Sequence, residues 1–325
     1  MNIIEVTEKF PTELDAVKHF EKVRWRKGVE CPYCSAEKVA NRSKDHRFLC
    51  LGCMNNFSVT VNTQLHRTRV PLKTWLYAFS IVSDAKKGLS ALQLQRNIDV
   101  SYPTAWAMYH KIRELMTMEN EQIQLEGVVE MDETFIGGKP RKMGNSDYPK
   151  RRRPELDEQI TELTGKGHRF TAKKKNPAKA DINPKTGRGT DKIKVAGIVQ
   201  RNGDVIAEVM TDLKYPDLKK MVEKYVDEKD SVLVTDSYRG YRKMSNIIDH
   251  IAIDHQQLYS YRGVNTNSIE SFWAIVKRGI IGQYHQVSPR HLPKYIAEFV
   301  FKYNNRQKDD MFQTLVRNSM LPLSL

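Results

Sequence analysis

The chain has 325 residues, enough for about two or three domains, and its 40% hydrophobic and 28% charged residues suit a globular protein that buries a core. No stretch approaches the roughly 18 apolar residues of a membrane span, and Met1–Glu8 has no basic region leading into an apolar run. This reading therefore excludes a membrane-embedded chain and a signal peptide, and predicts a cytoplasmic protein. Lys plus Arg number 53 against 39 Asp plus Glu, and a formal charge of +14 favours a polyanionic partner: nucleic acid first, an acidic membrane surface second.

All four cysteines fall early. Cys31-Pro32-Tyr33-Cys34 is followed, after fifteen residues, by Cys50-Leu51-Gly52-Cys53. Two C-x-x-C turns let four thiolates converge on one tetrahedral zinc, and the spacer is the length of a small β-hairpin. Arg47-Phe48-Leu49 and Asn56-Phe57-Ser58-Val59 suit short strands packed on those turns. Four protein ligands leave no open coordination position, so the zinc is expected to be structural and to supply much of the module's folding free energy. A redox pair or buried free thiols are the other readings of this spacing. We assign residues 1–70 to this zinc-ribbon module.

Residues 71–125 are helical in pattern. Pro71 opens a helix in which Leu72, Trp75, Leu76 and Phe79 recur at i, i+3, i+4 and i+7. Lys87-Gly88-Leu89-Ser90 is a break. Ser90 is placed to cap a helix over Ala91–Asn97, and Ser101 to cap a third that runs through Ala105, Trp106, Tyr109, Ile112 and Leu115. A short helix, a tight turn and a longer helix is the order of a helix-turn-helix, whose second helix lies in the major groove of DNA. Tyr102, Thr104, His110, Lys111 and Arg113 are the predicted base or phosphate contacts. The alternative is an ordinary three-helix packing unit.

Strand signals and acidic motifs fill 126–306. Val128–Gly138 reads as a strand ending in a turn, and its adjacent Asp132 and Glu133 are expected on opposite faces, so that one of them faces a site. From Lys139 to Lys192 there are 16 Lys/Arg against 7 Asp/Glu, with Arg151-Arg152-Arg153 and Lys173-Lys174-Lys175 among them. This basic insertion, 139–192, is expected to touch DNA; the plainer reading is a solvated linker. Ile193–Gln200 and Asp204–Met210 are predicted strands joined by a turn at Asn202-Gly203, and Tyr215–Val226 is a predicted helix. Ser231-Val232-Leu233-Val234-Thr235-Asp236 suits a buried central strand, with Asp236 at its carboxyl end, where open α/β sheets place their ligands. Asn267–Lys277 reads as a helix with Ile269, Phe272, Val276 and Ile280 as its core stripe. Glu270 and Lys277, two turns apart, share a face beside that stripe, and Asn267 lies one turn before Glu270.

Carboxylates supplied by an early strand, a later strand end and a following helix are what two divalent cations about 3.5–4 Å apart require in order to clamp the oxygens of a phosphodiester. Mg²⁺ favours such hard oxygen ligands, and a lysine nearby can hold a phosphate as a point charge. His250, His255 and His285 are scattered and read as ordinary surface or core residues.

Three motifs carry a resemblance to a known family. They are Met131-Asp132-Glu133-Thr134 with Gly137-Gly138-Lys139; Thr235-Asp236-Ser237-Tyr238-Arg239-Gly240-Tyr241; and Asn265–Trp273 with Lys277-Arg278-Gly279. Together with Tyr303-Asn304-Asn305-Arg306, the chain resembles bacterial insertion-sequence transposases that join an N-terminal zinc ribbon to an RNase H-like DDE domain. The resemblance implies an α/β fold: an RNase H-like mixed sheet flanked by helices over 126–306, preceded by the zinc ribbon and the helix-turn-helix segment and followed by a C-terminal tail at 307–325. It implies Asp132, Asp236 and Glu270 as ligands of two Mg²⁺ (or Mn²⁺) ions and Lys277 as their assistant, with Asn267 as a neighbour able to supplement Glu270. Asp236 and Glu270 stand 34 positions apart, and Asp132 and Asp236 stand 104 apart.

The activity implied is binding to terminal inverted repeats, hydrolysis at the element end, and attack of the freed 3′-hydroxyl on target DNA. The partners implied are double-stranded DNA and a second copy of the chain, in a dimer or larger assembly associated with the bacterial nucleoid. A non-catalytic or domesticated DNA-binding regulator and a structure-specific nuclease of the same fold are the alternatives. An RNA-binding protein ranks below both, because no aromatic RNA-binding strand motif is present.

Overall fold

A computed structural model describes residues 1–42, 46–118, 123–137, 192–253, 265–307 and 311–323. His255 and nearly all of the basic insertion lie outside them. No helix among the described residues is long and apolar enough to cross a membrane.

Two helices not foreseen from the sequence precede the cysteines: α1 (Ile3–Lys9) and α2 (Glu13–Arg24). Each begins with a capping box, Asn2 with Glu5 and Thr12 with Asp15, a pattern legible in the sequence as a polar cap with an acid three positions on. The three short strands β1 (Val39–Arg42), β2 (Arg47–Cys50) and β3 (Asn56–Phe57) then form an antiparallel sheet that fits a zinc ribbon. Phe48 and Phe57 stack within it, and Trp25 packs edge-on against Phe48 at 5.4 Å between ring centroids.

Helices α3 (Leu72–Asp84), α4 (Ala91–Ile98) and α5 (Tyr102–Thr117) follow where the apolar spacing and the two serines put them. Ser90 accepts from the Gln93 amide and Ser101 from the Thr104 amide, and Asp99 turns the chain between α4 and α5 in the left-handed region. Helix α3 has no cap of its own. The Glu13 carboxylate of α2 supplies one, accepting from the Leu72 and Lys73 amides at 2.7 and 2.9 Å.

The second layer is a mixed five-stranded sheet of β4 (Leu125–Ile136), β5 (Ile193–Gln200), β6 (Val205–Met210), β7 (Val226–Asp236) and β8 (Asp249–Ile253), ordered β6-β5-β4-β7-β8. The first three in chain order pair antiparallel, and β7 and β8 are parallel to β4. The expected RNase H-like sheet is thus present. β4 and β5 stay paired as far as Ile136 opposite Ile193, so the 56 residues between them depart and return across one rung of the ladder.

Helix α6 (Tyr215–Tyr225) covers one face of the sheet, burying Leu218, Met221 and Val222 against Val129, Met131 and Ile198. Helices α7 (Asn267–Gly279) and α8 (Leu292–Asn304) cover the other, with Ile269, Phe272, Trp273 and Val276 against Val195 and Val199. Gly197 lets α7 come this close: a β-carbon there would stand 2.7 Å from the Trp273 ring. Asn304 fastens edge strand β6 to α8, since its side chain both accepts from and donates to the backbone of Val205.

The stretch 307–325, expected as a tail, forms α9 (Met311–Ser319). Phe312, Leu315 and Val316 sit in the core shared by α1 to α5, because a nine-residue helix with one apolar face has a core to enter there. A second departure concerns α5. His110 and Arg113, predicted to reach DNA, are both buried. Arg113 donates to Glu298 of α8 at 2.8 Å, and His110 packs among Trp106, His291 and Tyr295; burial pushes its pKa down to about 4. The face of α5 bearing these residues is turned toward α8 and not toward solvent. Tyr102 remains exposed.

Candidate active site

Strand pairing builds the site. β4 and β7 run parallel with Met131 opposite Thr235, which brings Asp132 and Asp236 to the same level on neighbouring strands at the carboxyl end of β7. After Asp236 the chain turns into a short helical segment, Arg239–Tyr241, and the Tyr238 amide donates to Asp236 Oδ1 at 3.0 Å. One carboxylate oxygen from each of Asp132, Glu133 and Asp236 lies within 4.8 Å of the others.

Glu133 is the residue that sequence reasoning left out. Alternation does send it to the α6 face, away from Asp132. Its side chain is one methylene longer than that of Asp132, and Tyr241 O–H donates to its Oε2 at 2.7 Å, so the carboxylate still borders the pair. Tyr241 is fully buried, and burial together with the Glu133 charge raises its pKa well above that of a free tyrosine.

Burial, then crowding of like charges, sets the electrostatics. Asp132 is pushed up to about 7, first by burial and next by the Glu133 carboxylate, with Asp236 and Glu270 adding to it. Such a site is relieved by a cation. The donor set is oxygen alone, which fits a hard divalent ion such as Mg²⁺ or Mn²⁺ and does not fit zinc in a thiolate cage.

Glu270 stands on the first turn of α7, exposed, and accepts from Thr266 Oγ1 at 3.1 Å. It is outside the three-carboxylate cluster, although its charge reaches Asp132. Asn267 and Lys277 are also exposed on α7. His250 donates to or accepts from Thr235 Oγ1 at 2.9 Å beneath the site, and His285 lies on the surface.

The four cysteines meet as their spacing requires. Cys31 and Cys53 sulfurs are 3.7 Å apart, and Cys34 and Cys50 sulfurs 3.5 Å. Zinc–sulfur bonds of about 2.3 Å in a tetrahedron demand edges of roughly 3.8 Å, whereas a disulfide would hold its sulfurs at about 2.05 Å. Backbone amides of Gly52 and Cys53 point at Cys50 Sγ, and the Asn55 amide is the chief cause of a Cys53 thiol lowered to about 6.

Comparison with known proteins adds the following. Residues 163–304 match the ISXO2-like transposase domain, a span that holds Asp236, Glu270 and Lys277 but stops short of Asp132. Over 130 residues the chain is 32% identical to the uncharacterized protein in transposable element ISH50 of Halobacterium salinarum, a match covering 39% of this chain and 43% of that protein. A chain in the crystal structure of a pre-cleavage Mos1 transpososome aligns over 76% of this chain and 79% of its own length, at 10% identity and a TM-score of 0.22.

Proposed function

We propose that this chain, which matches the ISXO2-like transposase domain over residues 163–304, is an insertion-sequence transposase that cuts and joins DNA. The observation that carries the reading is the cluster of Asp132 and Glu133 within β4 and Asp236 at the end of neighbouring β7, with a fourth carboxylate, Glu270, on the helix facing them.

In this reading Asp132, Asp236 and Glu270 hold two Mg²⁺ or Mn²⁺ ions, which supply charge neutralisation for the attacking and leaving oxygens of an in-line displacement. Tyr241 keeps Glu133 turned toward Asp132 and Asp236. Lys277, exposed two turns along α7 from Glu270, holds a neighbouring phosphate. Hydrolysis frees a 3′-hydroxyl at the element end, and that hydroxyl attacks target DNA in a second displacement. Helices α4 and α5 act as the helix-turn-helix that finds the terminal inverted repeats, and the surplus positive charge binds phosphates without regard to sequence. Two ends must be held together, so the working form is a dimer or larger assembly on DNA, acting in the bacterial cytoplasm at the nucleoid.

The test is incubation with labelled DNA carrying the element's own ends and Mg²⁺. Nicking at the end followed by joining to target, both abolished by a chelator, is the expected result. Binding without cutting in Mg²⁺ or Mn²⁺ would make the chain a DNA-binding regulator, and cutting without joining would make it a nuclease.

Cys31, Cys34, Cys50 and Cys53 hold one structural zinc in the same reading. Elemental analysis is expected to find one zinc per chain, and Cys50→Ser to lose it. Loss would melt the ribbon, and the near-ultraviolet circular dichroism of Trp25, packed on Phe48, would fall with it. A metal-free protein with an unchanged Trp25 signal would overturn the assignment.

A further inference from the structure

Glu130 lies two residues before Asp132 on β4 and on the same face of the sheet. It is 0% exposed. Five donors converge on its carboxylate. Oε2 accepts from the Ser268 and Ile269 amides at 2.8 and 3.1 Å. Oε1 accepts from Ser268 Oγ at 3.0 Å, from Arg201 Nη2 at 3.1 Å and from Arg201 Nε at 3.3 Å. The same guanidinium donates to the Asn265 carbonyl at 2.9 Å, one residue before Thr266, the N-cap of α7.

Helix α7 makes no side-chain cap of its own at Thr266. The Asn267 amide donates to Asn265 Oδ1 at 3.2 Å, and the next two first-turn amides, of Ser268 and Ile269, are satisfied by a carboxylate whose nearer partner is 138 residues away, at the helix end where a negative charge is favoured. The residue immediately after those two amides is Glu270. Glu130 therefore joins two supports of the site at one point: the strand carrying Asp132 and the helix turn carrying Glu270. Its oxygens are saturated by protein donors, so it is not available to a cation.

We infer that Glu130 is a positioning residue that docks the first turn of α7 onto β4 and so fixes the distance between Asp132 and Glu270, with Arg201 as its counter-ion. The inference rests on the reading of that site as a divalent-metal centre. The part of it that concerns helix docking stands apart from that reading. Glutamine at 130 would keep one acceptor oxygen but turn an amino group toward donors, leaving at least one α7 amide without its acceptor and removing the negative charge that faces Arg201. The turn bearing Glu270 would then loosen while Asp132 and Asp236 stay where strand pairing puts them.

Glu130→Gln is compared with the wild-type full chain by amide hydrogen exchange and by Mn²⁺ titration followed by electron paramagnetic resonance. The expected result has two parts. Exchange at residues 267–271 rises tenfold or more while β5 and α8 remain protected, and the weaker of the Mn²⁺ binding steps shifts to about tenfold higher concentration. Binding to the element ends stays as in wild type. Unchanged exchange at 267–271 would overturn the inference whatever the metal titration shows. Faster exchange with unaltered Mn²⁺ binding would overturn the positioning role and reduce Glu130 to a cap. Wild-type protein that takes up no Mn²⁺ at all would instead sink the metal-centre reading, and with it the claim about Glu270, while exchange alone still decides whether Glu130 docks the helix. Arg201→Gln, which leaves the Glu130 cap on the α7 amides in place, is the second variant: it is expected to move both readouts in the same direction by a smaller factor, and no movement of either would count against the inference.

Discussion

Asp236→Ala is expected to bind element ends as wild type does and to cleave them about a thousandfold more slowly. A bound divalent ion contributes several kcal/mol of transition-state stabilisation, and each roughly 1.4 kcal/mol is a factor of ten. Asp236 is also a source of strain. Its charge is one of those that push Asp132 upward, so alanine at 236 should lower the Asp132 pKa and leave the fold no less stable than before. The predicted combination is therefore intact binding, an unchanged or raised melting midpoint, and lost cleavage. Gel shift, thermal melting and single-turnover cleavage of an end-labelled substrate read the three terms separately. Cleavage within tenfold of wild type would remove Asp236 from the active site. A collapse in melting midpoint would mean that its role is structural.

Glu298→Ala should do the opposite, harming the fold itself. Glu298 of α8 is 0% exposed and accepts from Arg113 Nε at 2.8 Å, Lys302 Nζ at 2.7 Å, Tyr109 O–H at 2.6 Å and Tyr284 O–H at 2.9 Å. The Arg113 guanidinium is sandwiched between the Tyr109 and Tyr295 rings, 3.7 and 3.8 Å from their centroids. Truncating the carboxylate strands two cations that are 2% and 6% exposed, and breaking a buried pair in this way costs about 3–5 kcal/mol. The melting midpoint should fall by on the order of 10 °C. Glu298→Gln restores shape but not charge and should recover little of it. Midpoints of both variants within 2 °C of wild type would disprove this, taking roughly 2 °C per kcal/mol as the scale.

The same group gives a pH dependence of definite sign. Burial opposes the Glu298 charge, but Lys302 and Arg113 overcome it and hold the carboxyl down at about 2. A carboxyl depressed in the folded state binds its proton more readily when unfolded, so its contribution is complete at neutral pH. It disappears as pH falls below the ordinary carboxylate range toward 2. Lys302 is itself pushed down, because burial outweighs its attraction to Glu298.

This buried knot also explains where sequence reasoning fell short. Cysteine pairs, serine caps and the apolar stripe of α3 are local patterns, and local patterns place the ribbon, α3, α4 and α5. The placement of Asp236 at the end of a buried strand is legible from its apolar run, and the parallel register of β4 with β7 brings Asp132 to the same level. Arg113 and His110 were misread because a charged or polar residue on a helix looks the same whether it faces solvent or a carboxylate 185 residues away. Glu130 escaped notice for the same reason. It reads as one acid among several in a strand, and only the approach of Ser268 makes it a cap. Glu133 was set aside by strict alternation, which orients a β-carbon but does not limit how far a glutamate can bend back. Helices α1, α2 and α9 are only 7, 12 and 9 residues long, too few turns for an apolar face to stand out by periodicity, even though α1 and α2 begin with capping boxes.

The ladder rung at Ile136 and Ile193 has a consequence for tolerance of length. The two ends of the intervening chain are held together by the sheet, through the pairing of β4 and β5. Closing a loop costs only about 0.6 kcal/mol more for each doubling of its length. Residues could therefore be gained or shed between these two isoleucines, in tens at a time, while Asp132, four positions before the rung, stays in register. The sequence of that stretch can therefore diversify without changing the register of the strand that carries Asp132.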